Sequence, residues 1–142
     1  MKRTFPQIAR AARRGKVKPP EPQTFGYARV STSEQRLDMQ MDALTRAGVP
    51  LDNIYVEKVS GSSRRRPAFE NLMRALRPGD TVVVLKIDRF GRKALPILER
   101  LTWFKENNIT FRSISESIDF NTPMGEAMVA IVAAMAQYEV RT

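Results

Sequence analysis

Arg29 and Ser31 stand two residues apart in the stretch Tyr27-Ala28-Arg29-Val30-Ser31-Thr32-Ser33-Glu34-Gln35. In an extended strand that spacing sends both side chains to one face, so a hydroxyl and a guanidinium share an edge. The pair suits attack on a phosphodiester, because a planar cation can bridge two phosphate oxygens while the hydroxyl reaches the phosphorus. The same residues also read as a capping box, Ser31-x-x-Glu34, in which Ser31 would only start the next helix. The chemistry available elsewhere in the chain bears on the choice.

The chain has neither cysteine nor histidine. Disulfides, thiolate nucleophiles, zinc sites built on those ligands and serine-histidine-aspartate triads are therefore excluded. A serine nucleophile here has to be activated by cations, hydrogen bonds or a carboxylate. The 142 residues suit one domain with short appendages, and 24 Lys+Arg against 15 Asp+Glu leave a net charge of +9. Such a balance favours a polyanionic partner, nucleic acid or an anionic membrane surface. No apolar run reaches the roughly 18 residues of a membrane span, and the N-terminal segment lacks a signal peptide's apolar centre, so a soluble, intracellular chain is expected.

The elements that would carry these residues follow from periodicity. Residues 1–24 hold Lys2, Arg3, Arg10, Arg13, Arg14, Lys16 and Lys18 before Pro19, Pro20 and Pro22, a basic tail and stiffened linker. Phe25 to Ser31 reads as a strand. A helix over Ser33 to Ala47 follows, with Leu37, Met41 and Leu44 in step and Gly48 and Pro50 at its end. Ile54-Tyr55-Val56 is a second strand. The loop Lys58 to Arg66 then leads to Pro67 at a helix start, with Phe69, Leu72, Met73 and Leu76 on one face. Thr81 to Ile87, continuously apolar from Val82 to Leu85, predicts a central strand buried on both faces. A helix through Leu95, Leu98, Leu101 and Phe104 and a strand from Ile109 to Ile114 complete an α/β domain with a mainly parallel sheet, over residues 25–121. The last helix, from Met124 to Arg141 within residues 122–142, has almost no polar face between 127 and 136. It predicts burial on two sides, either against a second subunit in a homodimer or wholly within one domain. Its pattern runs to Thr142 without a cap, as expected of the start of a longer helix.

On that topology Ser31 leaves the carboxyl end of the first strand, Ser60 and Arg66 follow the second, and Asp88, Arg89 and Arg92 follow the third. Open α/β sheets bind ligands at that edge. Taken singly, Ser60 suits a flexible loop, Arg64 to Arg66 a solvated run, Asp88 a turn, and Arg89 and Arg92 an ordinary surface. Together they place an arginine cluster around a serine, which repels itself unless an anion neutralises it.

Tyr-Ala-Arg-Val-Ser-Thr at 27 to 32, Gln35 and Gln40, Ser60-Gly61, Arg66-Pro67 and Asp88-Arg89-Phe90-Gly91-Arg92 closely resemble the catalytic domain of the serine recombinases, the resolvase/invertase family, over about residues 25 to 139. The resemblance implies a resolvase-like fold followed by the start of a long dimerisation helix. It implies that Ser31 attacks a DNA phosphodiester to form a 5′-phosphoserine link, without metal, nucleotide or other cofactor. Arg29, Arg66, Arg89 and Arg92 would grip the scissile phosphate, and Asp88 would orient them or carry the leaving-group proton. Tyr27, Gln35, Gln40 and Ser60 would support substrate positioning. The implied partners are the DNA backbone and further copies of the chain, a dimer that becomes a tetramer in the synaptic complex, at a cytoplasmic, nucleoid-associated location. The family has a separate C-terminal DNA-binding domain, absent from these 142 residues. It also usually shows Glu-Arg near Glu139, where this chain has Glu139-Val140-Arg141. A non-catalytic dimerisation or regulatory fragment is the main alternative; a small-nucleotide phosphate site lacks a glycine-rich loop.

Overall fold

Alternation sorts the first strand, β1 (Thr24–Ser31), onto two cores in the computed structural model, which describes residues 21–31, 36–59, 65–87 and 93–141. Phe25 and Tyr27 point into the larger cluster, and Ala28 points to a smaller one with Leu44, Val49 and Val83. The smaller core is closed by helix α1 (Leu37–Arg46). Strand β2 (Ile54–Val59) leads to α2 (Pro67–Ala75), which opens on proline as the sequence predicts. Strand β3 (Thr81–Val84), α3 (Ala94–Glu106), β4 (Thr110–Ser113), β5 (Ile118–Asp119) and α4 (Pro123–Arg141) follow.

The sheet order is β2-β1-β3-β4-β5, parallel except for the antiparallel pair β4 and β5. The mainly parallel α/β fold expected from the sequence is therefore observed, with β3 central. Two details differ. The third strand stops at Val84, although the sequence predicts it to Ile87 and the apolar run continues to Leu85. Its neighbour β4 ends at Ser113, in register with Val84, and the chain turns there through Ser117, whose φ is 55°. The two-residue β5 that follows has no periodic signal. The tail through residue 20 lies outside the described residues.

The chain steps from β1 to β2 on one side and to β3 on the other, which makes the carboxyl end of β1 a topological switch point. There β1 outruns β3: its pairing with β3 ends at Tyr27 opposite Val84, whereas its pairing with β2 continues to Ser31 opposite Val59.

Helix α4 packs against α3 and β5. A Cβ at Gly125 would fall 2.3 Å from the Phe120 Cα, so only glycine permits that approach. Val132 and Ala136 are buried, while Met124, Ile131, Met135 and Tyr138 are 54–71% exposed. These four lie within one narrow stripe on the helix surface. The helix is thus buried along one side of this chain, and the expectation of burial wholly within one domain does not hold. Among the described residues, no helix is long and apolar enough to cross a membrane.

Candidate active site

Ser31 is the last residue of β1, and the helix after it begins at Leu37 with Arg36 in the capping position and no side-chain cap. The capping-box role for Ser31 is therefore not realised in α1. Arg29, two residues earlier on the same face, is 9% exposed. Its main chain is held by the Gln40 side chain: the Arg29 N–H donates to Oε1 at 3.2 Å, and Nε2 donates to the Arg29 carbonyl at 3.1 Å. Gln40, itself 1% exposed, completes the edge of β1 that β3 leaves open. Without it a buried N–H and C=O would go unsatisfied.

Glu57 stands in register with Arg29 on β2 and is 2% exposed. A charge so buried persists only when saturated with donors. Its carboxylate accepts the Ala68 and Phe69 N–H groups at 3.1 and 3.0 Å and the Tyr27 hydroxyl at 3.2 Å. The first two belong to the opening turn of α2, where a negative charge is favoured. Arg66 occupies the N-cap of that helix, so Glu57 fixes the backbone from which Arg66 departs.

Tyr27 and Phe69 meet edge to face at 5.6 Å, and the Arg100 guanidinium carbon of α3 lies 4.5 Å from the Phe69 ring centre. Burial, then the Glu57 charge and its hydrogen bond, push the Tyr27 hydroxyl well above the usual tyrosine range, while Arg29 and Arg66 act in the opposite sense. Both cations are therefore within electrostatic reach of one phenol. Burial also disfavours the charge on Arg100, Tyr27 supports that charge, and Arg66 adds to the repulsion. Arg29, Arg66 and Arg100 thus share a partly desolvated region with one buried carboxylate. Three guanidinium groups gathered there, among the described residues, suit a phosphate.

Of the residues singled out from sequence, Ser31, Arg29, Tyr27, Gln40 and Arg66 are brought to the carboxyl end of β1 and its neighbours. Tyr27 and Gln40 act from inside the fold, through Glu57 and the Arg29 backbone. Gln35, Ser60, Asp88, Arg89 and Arg92 lie outside the described residues. Glu57 and Arg100 were not anticipated, though each left a signal. Glu57 shares the strand parity of Tyr55, and Arg100 interrupts the buried face marked by Ile97, Leu101 and Phe104. Among the described residues no group of three or more acidic side chains converges as metal ligands would.

Comparison with known proteins agrees with this arrangement. The family model for the resolvase N-terminal domain matches residues 24–142. The chain is 41% identical over 115 residues to the transposon Tn917 resolvase of Enterococcus faecalis, covering 81% of this chain and 61% of that protein. It is 39% identical over 115 residues to the serine recombinase gin of Escherichia phage Mu, covering 81% of this chain and 58% of that protein. This chain therefore spans about three fifths of the relatives it matches. The crystal structure of the N-terminal catalytic domain of TP901-1 integrase superposes with a TM-score of 0.67 at 32% identity, covering 84% of this chain and 97% of that one. With Ser31 beside Arg29 at the switch point of the sheet, and a family match extending over residues 24–142, the chain belongs to the serine recombinases of the resolvase/invertase family.

Proposed function

We propose that this chain is the catalytic part of a site-specific DNA recombinase in which Ser31 is the nucleophile. Its Oγ attacks the phosphorus of a DNA phosphodiester and the bond to the 3′ oxygen breaks. That oxygen leaves as a 3′-hydroxyl, and the 5′ phosphate remains on the serine. Attack by the 3′-hydroxyl of another strand reverses the step and reseals the DNA without ATP. Arg29 and Arg66, with Arg89 and Arg92, stabilise the charge that builds on the phosphoryl oxygens, and Asp88 orients them or carries the proton. Gln40 and Tyr27 hold the framework, with Gln35 and Ser60 beside the substrate. No metal or cofactor is invoked.

The observation that carries this reading is the position of Ser31, at the carboxyl end of β1 beside Arg29, on a strand whose Tyr27 feels the charges of both Arg29 and Arg66. The exposed stripe of Met124, Ile131, Met135 and Tyr138 supports a homodimer along α4, with two DNA-bound dimers forming a tetramer for strand exchange. Residues 1–24 then form a basic arm, 25–121 the catalytic domain and 122–142 the opening of the assembly helix. DNA is gripped through its phosphates, with little base discrimination, in the cytoplasm at the nucleoid.

The test is covalent capture. Residues 1–142 are fused to an unrelated DNA-binding module, incubated with a matching nicked site, quenched in detergent and digested. DNA joined through its 5′ phosphate to Ser31, and lost in Ser31→Ala, is expected. A folded, DNA-bound fusion that forms no adduct would instead indicate a regulatory fragment that acts through assembly.

A further inference from the structure

Helix α3 begins at Ala94, two residues after Arg92, and it begins without a local cap. Lys93 at its N-cap makes no side-chain capping bond, and the first turn holds no acidic residue. The opening N–H groups of a helix need acceptors from somewhere. Here they come from another helix: the Ala94 N–H donates to Glu139 Oε2 at 2.7 Å and the Leu95 N–H to Oε1 at 3.2 Å. Glu139 lies on α4, whose outer side carries the exposed apolar stripe. The other end of the arginine-bearing segment is held in the same manner. The Ile87 N–H donates to Glu116 Oε1 at 3.3 Å, and Glu116 also accepts the buried Ser113 hydroxyl. The two points at which residues 88–92 join the described fold are thus each tied to a carboxylate from a different element.

We propose that Glu139 is a positioning residue for DNA cleavage: by capping α3 from the assembly helix, it couples the packing of α4 to the placement of Arg89 and Arg92. This rests on the reading that those arginines grip the scissile phosphate. A forked carboxylate on two helix-opening amides combines charge-assisted hydrogen bonding with a favourable helix dipole. A shift of α4 relative to α3 therefore strains both bonds at the point where the chain enters α3. Assembly and chemistry then share one carboxylate.

The test uses the same DNA-binding fusion of the full chain, with Glu139→Ala, Glu139→Gln and, as a control for lost stability, Asp80→Asn at the opposite end of the sheet. Adduct formation at saturating DNA is expected to slow by about 10- to 100-fold in Glu139→Ala, as a misplacement of about 1 Å does. The DNA concentration giving half-maximal rate should be unchanged. Glu139→Gln, which keeps the shape and one acceptor oxygen, should recover much of the rate. Amide exchange at Ala94 and Leu95 should quicken in the order Ala, Gln, unmodified chain. A Glu139→Ala rate equal to the unmodified chain's, or reduced only as far as in Asp80→Asn, overturns the proposal. Should Glu139→Ala not fold, Glu139→Asp, whose shorter carboxylate cannot reach both amides, takes its place, and a rate equal to the unmodified chain's with faster exchange at both amides overturns the proposal equally. An unmodified fusion that forms no adduct overturns the recombinase reading and this role with it. Faster exchange at the two amides in the variants would then show that the capping bonds exist without serving cleavage.

Discussion

Two carboxylates are buried at opposite ends of the sheet, and their surroundings differ in a way that separates structure from chemistry. Asp80, 4% exposed at the amino end, accepts the main-chain N–H of Gln23 at 2.9 Å and of Arg77 at 2.8 Å. Both oxygens serve backbone, and the turn into β3 is closed onto the chain entering β1. Glu57 at the carboxyl end also accepts two main-chain N–H groups, but it takes the Tyr27 hydroxyl as well and stands in register with Arg29. The same device closes a turn at one end and, at the other, ties Tyr27 to the opening of α2 beside Arg29 and Arg66. The strand ends decide which, because parallel strands bring their carboxyl termini, with the loops that follow, to a single edge.

The comparison is sharpened most by Arg66→Ala. Loss of one donor to a developing oxyanion should slow adduct formation by about 100- to 1000-fold, with little change in thermal midpoint, read from single-turnover kinetics and a melting curve on the same sample. Glu57→Gln should do two things together, lowering stability by about 1–3 kcal/mol and slowing the adduct, since the start of α2 and the arginines lose their shared anchor. A variant as stable and as fast as the parent would remove Glu57 from the site. Asp80→Asn should cost a similar amount of stability, about 1–3 kcal/mol by urea denaturation, while the cleavage rate per folded molecule stays the same. A large rate loss there would erase the distinction between the two ends. The smallest effect is expected at Tyr27. Its hydroxyl keeps its proton more tightly in the folded chain than in the unfolded one, where ionisation begins near pH of about 10. Stability from this group is fully present below that pH and declines above it, as the unfolded chain loses a proton that the folded chain retains. Tyr27→Phe should flatten the decline, measured by urea denaturation between about pH 9 and 11.

Most of the framework was legible because apolar period and turn chemistry agree along the chain. Phe25, Tyr27 and Arg29 alternate with Gly26, Ala28 and Val30, so the shared face of Arg29 and Ser31 could be read before any coordinates. Pro67 marks its helix start, and the continuous run at Val82 to Val84 marks the central strand. Other features depend on partners distant in sequence. The early end of β3 is set by Ser113, about thirty residues away, and β5 exists only as a pairing with β4. Glu57 and Arg100 were missed because a charged residue inside an apolar period resembles noise until its partners are placed, here the α2 amides and the Phe69 ring. Gln40 was legible only as part of a family pattern. Its physical task, completing the backbone edge of Arg29, depends on β3 stopping short.

The contact at Gly125 has a mechanical consequence. Helix α4 touches β5 there with no room for a methyl group, which makes that point a fulcrum. Glu139 lies fourteen residues further along, a lever arm of about 21 Å at 1.5 Å per residue. A tilt of about five degrees about the fulcrum moves the far end by about 2 Å, enough to break hydrogen bonds of 2.7 and 3.2 Å. Val132 and Ala136, buried between these two points, move with the long arm, so a rotation that uncaps α3 also shifts the part of the core they fill.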